Sequence, residues 1–165
     1  MPNEANSFNP SSELSKLDKL ERRFSARPPN QDTVMAPHVA ILMGTYNGAH
    51  FIAEQLASIE RQTHWRWTLH VSDDGSEDST LDQLADAQIR WGESRLRVVQ
   101  GPRRGFVANF LSLACSKEID ADFFAWCDQD DIWCEDKLEA ALVRLEAIPM
   151  GVPGLYCGRT EMICE

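Results

Sequence analysis

Four short polar segments of this chain combine residue types that could bind or activate a ligand. They are Thr45-Tyr46-Asn47-Gly48, Ser72-Asp73-Asp74-Gly75-Ser76, Gly101-Pro102-Arg103-Arg104-Gly105 and Asp128-Gln129-Asp130-Asp131. The last segment has the clearest chemistry, because three carboxylates within four residues repel one another and a cation relieves that repulsion. We interpret it as a site for Mg²⁺ or Mn²⁺, which one or two carboxylates hold while water and substrate phosphates take the other positions.

The other three segments each have a plain structural alternative. Asn47 and Gly48 form a common turn pair, so the first segment could simply lead into a helix. Asp73 and Asp74 could form a turn that caps the next helix. Two adjacent arginines are often simply exposed to solvent and bind no anion. Residue type alone leaves these alternatives open, and the choice depends on whether the fold brings the segments together.

A repeating order of strands and helices is predicted from residue 37 onward. Apolar runs indicate strands at 39–43, 67–71, 96–99 and 123–127, and apolar residues at helical spacing follow each of them. A Ser79-x-x-Asp82 capping box indicates the start of the second helix, and a fifth strand is predicted from Leu155. This order implies an α/β fold with a Rossmann-like parallel sheet flanked by helices.

The predicted sheet gives the polar segments a common location. Sheets of this kind bind ligands beyond the carboxyl ends of their strands, and each segment directly follows a strand. We therefore expect all four to converge on one edge, where a metal could bridge the carboxylates to an anionic nucleotide diphosphate. Tyr46 could stack on the base, and an arginine could add positive charge at the phosphates.

Composition narrows the class of protein. The 165 residues carry 16 basic and 26 acidic side chains, a formal net charge of −10, which disfavours nucleic acid and acidic lipid as partners. A hydrophobic content of 43% excludes a disordered acidic chain. We see no apolar run long enough for a transmembrane segment and no secretion signal, so the expected location is cytoplasmic, or peripheral to the inner face of the membrane.

The chain is predicted to divide into three parts. Residues 1–36 form a flexible leader in which Leu14, Leu17, Leu20 and Phe24 could share one face of a short helix. Residues 37–160 form the globular part, and residues 161–165 a frayed tail. The five cysteines contain no C-x-x-C pair, so we expect small buried side chains rather than a zinc cluster or a disulfide framework.

The ordered set of motifs resembles a known family. The motifs are Val39-Ala-Ile-Leu-Met-Gly-Thr-Tyr-Asn-Gly, Ile59-Glu-Arg-Gln-Thr, Val71-Ser-Asp-Asp-Gly-Ser-Glu-Asp-Ser-Thr, Ala108-Asn-Phe, and Trp126-Cys-Asp-Gln-Asp-Asp-Ile-Trp followed by Asp136-Lys-Leu. Together they resemble family 2 glycosyltransferases of the GT-A fold over about residues 38–160. The Asp-Gln-Asp-Asp-Ile-Trp form is similar to the rhamnosyltransferase branch of cell-surface polysaccharide synthesis.

The resemblance implies roles for the residues at the ends of the first two strands and of the fourth. Thr45 and Tyr46 correspond to the first turn that contacts the nucleotide, and Asp74 to the residue that reads the base. Asp128 and Asp130 correspond to the two ends of the D-x-D motif. Asp128 would face the ribose or diphosphate and the metal, and Asp130 would be the direct ligand of Mg²⁺ or Mn²⁺.

Two further residues correspond more loosely to the family pattern. Arg104 and Asn109 lie in the segment that approaches the donor in relatives. The implied partners are a nucleotide-diphosphate sugar donor and a glycan or lipid-linked glycan acceptor. The implied activity is metal-assisted transfer of the sugar to that acceptor.

The resemblance also implies that a part of the enzyme is missing. In inverting members the catalytic base follows the D-x-D motif in an acceptor-binding half, so we expect it beyond residue 165 and assign no catalytic residue here. The sequence therefore looks like the nucleotide-binding half of a GT-A fold, truncated after that half. The alternative function is an inactive nucleotide-binding remnant. An uncovered sheet edge would favour self-association.

Overall fold

The computed structural model describes residues 35–162, which form a sheet of four parallel strands with four helices. The strands are β1 (Val39–Thr45), β2 (Trp67–Asp73), β3 (Leu96–Gln100) and β4 (Phe123–Cys127). The helices are α1 (Ile52–Glu60), α2 (Thr80–Trp91), α3 (Phe106–Ala114) and α4 (Lys137–Leu145). Every strand and helix expected over these ranges is present, apart from the fifth strand.

The strand order β3-β2-β1-β4 places the carboxyl ends of the strands along one edge. Thr45 at the end of β1 is in register with Asp73 at the end of β2, and Asp73 with Gln100 of β3. On the other side of β1, Met43 is in register with Cys127. The polar segments that follow these strands therefore meet, and the predicted α/β class with a Rossmann-like parallel sheet is confirmed.

The core lies on both faces of the sheet, which explains the continuous apolar run of β1. Alternate β1 residues Val39, Ile41 and Met43 pack with α1, α2 and α4 in the larger cluster. The residues between them, Ala40 and Leu42, pack with α3 in a smaller cluster. Because successive side chains of a strand point to opposite faces, a strand covered on both sides needs apolar residues at every position.

The start of α2 differs from the predicted capping box. Ser79 occupies the N-cap position, but its side chain makes no capping hydrogen bond. The carboxylate of Asp78 instead bonds the first residue of the helix: its Oδ1 accepts the backbone N–H of Thr80 at 3.0 Å and also the Thr80 hydroxyl. The predicted Ser79–Asp82 box is therefore wrong, because the Ser79 side chain makes no hydrogen bond to the amides of the helix.

The predicted fifth strand is also wrong. Within residues 35–162, positions 155–157 belong to no strand, and Leu155 is 81% exposed. A strand exists through its hydrogen-bonded ladder with a neighbour, and the sheet contains only the four strands given above in the described part of the chain. Three apolar residues alone did not distinguish a strand from an extended exposed segment.

Most of the predicted leader and tail lies outside the residues that the structure describes. Residues 1–34, which include Leu14, Leu17, Leu20 and Phe24, lie outside the described residues, as do residues 163–165. Positions 161 and 162 are exposed and have no regular secondary structure. The three-part division of the chain stays a prediction. Among the described helices, none has the length and apolar character that crossing a membrane requires.

Candidate functional site

A cavity of about 590 Å³ opens at the carboxyl edge of the sheet. Residues from the ends of β1, β2 and β4 and from the β3–α3 connection line it. It brings together six of the predicted site residues: Thr45, Tyr46, Asp74, Asn109, Asp128 and Asp130. Arg104 is not among the lining residues, and Arg103 takes that place.

A buried carboxylate, Asp73, holds two of the residues that line the cavity, Thr45 and Gly75. Its Oδ2 accepts the hydroxyl of Thr45 at 3.0 Å, and its Oδ1 accepts the backbone N–H groups of Gly75 at 3.0 Å and Ser76 at 2.8 Å. The Ser76 hydroxyl also donates to Asp73. Thr45 is itself buried. Its hydroxyl thus joins β1 to β2 rather than pointing at a ligand.

Asn109 fixes α3 against the ends of the same two strands. Its Nδ2 donates to the backbone carbonyl of Ser72 at 2.7 Å and to that of Thr45 at 3.4 Å. The side chain is buried, and Oδ1 has no hydrogen-bond partner among the described residues. A Cβ at Gly101 would overlap this oxygen, so glycine is what allows the β3–α3 connection to pass so close. Asn109 therefore positions the wall of the cavity.

Asp74 lies between the β2 loop and the start of α3. Its Oδ2 accepts the N–H of Gly105 at 2.7 Å, and its Oδ1 accepts the N–H of Arg104 at 3.3 Å. Gly105 is the N-cap of α3 and offers no side-chain cap, so the carboxylate of Asp74 supplies the acceptor from another loop. A negative charge is favourable at this end of a helix because the helix dipole is positive there.

Arg103, rather than Arg104, contributes the cation of the cavity. Its backbone adopts the left-handed region at φ 55°, and its side chain runs beside Gly75, where a Cβ would lie 3.0 Å from Nε. Arg104 contributes the backbone N–H that Asp74 accepts. The arginine pair in the sequence identified the right turn, but the backbone conformation that selects one of the two is not readable from residue type.

The acidic segment after β4 is exposed to solvent. Asp128, Asp130 and Asp131 are all exposed; of the tryptophans on either side, Trp126 is 43% exposed and Trp133 is buried. Desolvation raises the pKa of Asp128, and the charges of Asp131 and Asp130 add to the increase. A carboxylate beside other carboxylates binds a cation favourably, because the cation neutralises their repulsion.

The donor atoms fit a metal that takes few protein ligands. Among residues 35–162, no three His, Cys, Asp or Glu side chains form a group able to hold a metal on their own. Mg²⁺ typically takes one or two carboxylates from the protein and completes its shell with water and phosphate oxygens. Asp128 and Asp130 both line the cavity and fit that requirement, whereas Asp131 does not line it.

Two buried polar residues, Ser58 of α1 and Gln62 just after it, hold the segment that follows the acidic residues. Ser58 Oγ accepts the N–H of Trp133 at 3.1 Å. Gln62 donates to the carbonyl of Cys134 at 2.7 Å and accepts the N–H of Leu138 at 3.0 Å. These contacts were missed from the sequence. Their signal is the presence of Gln55, Ser58 and Gln62 on an otherwise apolar helix face, all of them buried.

A comparison with protein families gives one match that spans most of the described chain. Residues 40–155 match the sequence model of Glycosyl transferase family 2. The UDP-Glc:alpha-D-GlcNAc-diphosphoundecaprenol beta-1,3-glucosyltransferase WfgD of Escherichia coli is 33% identical over 101 residues, which are 61% of this chain and 38% of the relative. The dTDP-rhamnosyl transferase RfbG of Shigella flexneri is 35% identical over 105 residues, 61% of this chain and 35% of the relative. The chain thus spans well under half the length of these relatives.

Two solved structures resemble the described part of the chain in fold. TarS 1-349 of S. aureus superposes with a TM-score of 0.57 at 25% identity, over 66% of this chain and 32% of that one. A mannosyltransferase from Pyrobaculum calidifontis, solved in complex with GDP-Man and Mn²⁺, superposes with a TM-score of 0.62 at 23% identity, over 84% of this chain and 42% of that one. The second likeness bears on the fold alone.

Proposed function

The chain belongs to Glycosyl transferase family 2, and on that premise we propose that its described domain binds the nucleotide-diphosphate part of a sugar donor. One observation carries the proposal: Tyr46, Asp74, Arg103, Asp128 and Asp130 line a single cavity at the carboxyl edge of the sheet. Open parallel sheets bind their ligands at this edge. The activity proposed for the whole enzyme is transfer of the sugar to a glycan acceptor.

Tyr46 and Asp74 are the residues we assign to the nucleoside. The Tyr46 side chain is 57% exposed and lines the cavity, so its ring is available to stack on a base. Asp74 is held by two backbone N–H groups through its carboxylate oxygens. Each of those oxygens has further acceptor capacity, so it can also receive an N–H or O–H from the base or ribose.

Arg103 and the acidic pair are the residues we assign to the diphosphate. Arg103 brings a guanidinium, whose planar fork suits phosphate oxygens. Asp130, with Asp128, would hold the divalent ion, Mg²⁺ or Mn²⁺. Once bound, that ion would supply positive charge that stabilises the departing diphosphate. Thr45 and Asn109 keep positioning roles, because their side-chain donors are used within the protein.

The names of the relatives suggest the class of donor and acceptor. One acts with UDP-Glc on a diphosphoundecaprenol-linked sugar, and the other is a dTDP-rhamnosyl transferase. We therefore propose a uridine or thymidine diphosphate sugar as the donor and a lipid-linked glycan of cell-surface polysaccharide synthesis as the acceptor. A lipid-linked acceptor would bring the enzyme to the inner face of the membrane. A rhamnosyl donor is the form that the Asp-Gln-Asp-Asp-Ile-Trp motif favours.

The test is a thermal-shift titration of the 165-residue chain with UDP, dTDP and GDP, each with and without Mn²⁺. We expect at least one nucleotide to raise the unfolding midpoint only when Mn²⁺ is present. Asp130→Asn should remove that metal-dependent shift, while the matched control Asp131→Asn should keep it, because Asp131 lies outside the cavity lining. The absence of any metal-dependent shift in the unmodified chain would contradict the proposal.

A further inference from the structure

The side chain of Gln129 is bonded to the backbone of Tyr46 on both of its polar atoms. Gln129 Oε1 accepts the N–H of Tyr46 at 3.0 Å, and Gln129 Nε2 donates to the carbonyl of Tyr46 at 3.2 Å. The two residues are 83 positions apart in the chain and follow adjacent strands, β4 and β1. The amide therefore pairs with Tyr46 as a neighbouring strand residue would, beyond the point where the β1–β4 ladder ends.

Gly48 leaves the space that this contact needs. A Cβ at Gly48 would overlap the amide of Gln129, so a larger residue would displace it. The rest of the turn is held from the side of β2. The N–H of Asn47 donates to Ser76 Oγ at 2.8 Å, and the N–H of Gly48 donates to Thr80 Oγ1 at 2.8 Å. Gln129 thus ties this turn to the segment that follows β4.

We propose that Gln129 is a positioning residue, which holds the backbone of Tyr46 so that its exposed ring presents one face to the donor base. The inference rests on the donor site proposed above, because Tyr46 is the stacking residue of that site. An exposed ring keeps a direction only when its backbone is fixed. Gln129 also lines the cavity. Because both polar atoms of its amide bond to the backbone of Tyr46, we assign its effect on the site to the position of that residue.

The geometry also explains why the acidic segment has an amide at its second position. Gln129 lies between Asp128 and Asp130, both of which line the cavity. A carboxylate at position 129 could accept the Tyr46 N–H but could not donate to the Tyr46 carbonyl. It would also add a fourth negative charge to three neighbouring carboxylates. Only a side chain with both a donor and an acceptor satisfies the two bonds without adding charge.

Fluorine NMR tests this arrangement without any nucleotide. The chain has two tyrosines, Tyr46 and Tyr156, so a protein labelled with 3-fluorotyrosine gives two resonances, which Tyr46→Phe assigns. Gln129→Met keeps the length of the side chain and removes both hydrogen bonds. We expect it to narrow the Tyr46 resonance and move it toward that of free fluorotyrosine, with Tyr156 unchanged. Gly48→Ala keeps the glutamine in the sequence but displaces its amide with a Cβ, and it should produce the same change.

Nucleotide affinity then links the arrangement to the donor site. Affinity is measured for the nucleotide that binds best with Mn²⁺. We expect Gln129→Met to raise its dissociation constant about tenfold, because the two hydrogen bonds that hold the Tyr46 backbone are lost. In a Tyr46→Ala background the same change should cost less than about twofold, since the two residues act as one unit. The unfolding midpoint without ligand serves as the control for folding.

The outcomes separate the two proposals. A Tyr46 resonance that is the same in the unmodified chain, in Gln129→Met and in Gly48→Ala would overturn the positioning role. So would an equal loss of affinity with and without the Tyr46 side chain, because Gln129 would then contact the nucleotide itself. If the resonance changes as expected but the unmodified chain binds none of the nucleotides, the contact between Gln129 and Tyr46 stands and the proposed donor site fails.

Discussion

Adjacent aspartates at the end of β2 are expected to respond very differently to the same substitution. Asp73→Ala should lower the free energy of unfolding by about 3 kcal/mol, because it removes a buried acceptor shared by several donors. Asp74→Ala should lower it by about 1 kcal/mol, the usual scale for losing a helix cap. Asp74→Ala should also abolish metal-dependent nucleotide binding, since Asp74 lines the cavity.

The estimate for Asp73 comes from the groups that it leaves behind. Its carboxylate accepts hydrogen bonds from the hydroxyls of Thr45 and Ser76 and from the N–H groups of Gly75 and Ser76. The hydroxyls can rotate toward other acceptors, but the two backbone N–H groups cannot. An N–H left without a partner costs about 1 to 3 kcal/mol, so two of them that water reaches incompletely give about 3 kcal/mol.

The estimate for Asp74 is smaller because its partners are open to solvent. The N–H groups of Arg104 and Gly105 belong to exposed residues, so water can replace the lost carboxylate. What remains is the loss of a negative charge at the start of α3, which is worth up to about 1 kcal/mol.

Urea denaturation of the two variants, followed by circular dichroism, measures the difference. With a slope of about 1.5 kcal/mol per molar urea, Asp73→Ala should lower the midpoint by about 2 M and Asp74→Ala by less than about 1 M. Nucleotide titration of Asp74→Ala is done where that variant is fully folded. Equal midpoints for the two variants, or an Asp73→Ala midpoint close to that of the unmodified chain, would refute the hydrogen-bond reasoning.

Two further predictions follow from the direction of individual pKa values. Burial raises the pKa of the Cys127 thiol, so iodoacetamide at pH 8 should leave it unmodified in the native chain while the exposed Cys115 reacts, as peptide mass spectrometry would show; equal labelling of both would contradict this. Desolvation and the charges of Asp131 and Asp130 raise the pKa of Asp128 above its ordinary value of 3.8. The folded protein therefore gains stability from the protonated carboxyl at low pH, in full below pH 3.8, and loses this stability as the pH rises through the raised pKa. Asp128→Asn should therefore raise the metal-free unfolding midpoint at pH 7 but not below pH 3.8, and a lower midpoint at pH 7 would argue against it.

The fold could be predicted because its determinants are local. Apolar runs marked the four strands, helical spacing marked the helices between them, and the right-handed crossover rule left few ways to connect parallel strands. The predictions that failed were not supported by several independent signals of this kind. A capping box at Ser79 and a strand at Leu155 each depended on a few residues, and the tertiary neighbours decided both positions.

The candidate site could be predicted to the level of segments but not of every side chain. The sheet rule brings the four strand ends to one edge, whatever the details of the turns. Choosing Arg103 over Arg104 requires the backbone conformation of the turn, in which Arg103 is left-handed and its side chain runs beside Gly75. The bonds of Gln129 to Tyr46 and of Gln62 to Cys134 and Leu138 join residues more than 70 positions apart, and no local pattern encodes such pairs.

In the proposed function, the metal and Arg103 together compensate for the negative charge of the cavity. Among residues 35–162, four carboxylate-bearing residues line the cavity, Asp74, Glu77, Asp128 and Asp130, against one lining cation, Arg103. A diphosphate that entered such a cavity alone would meet a field of its own sign, as the net charge of −10 predicts for anions in general. Arg103 offsets one carboxylate, and a divalent ion offsets two more. In the proposed function, the acidic segment would therefore disfavour polyanions that bring no metal with them and accept those that do.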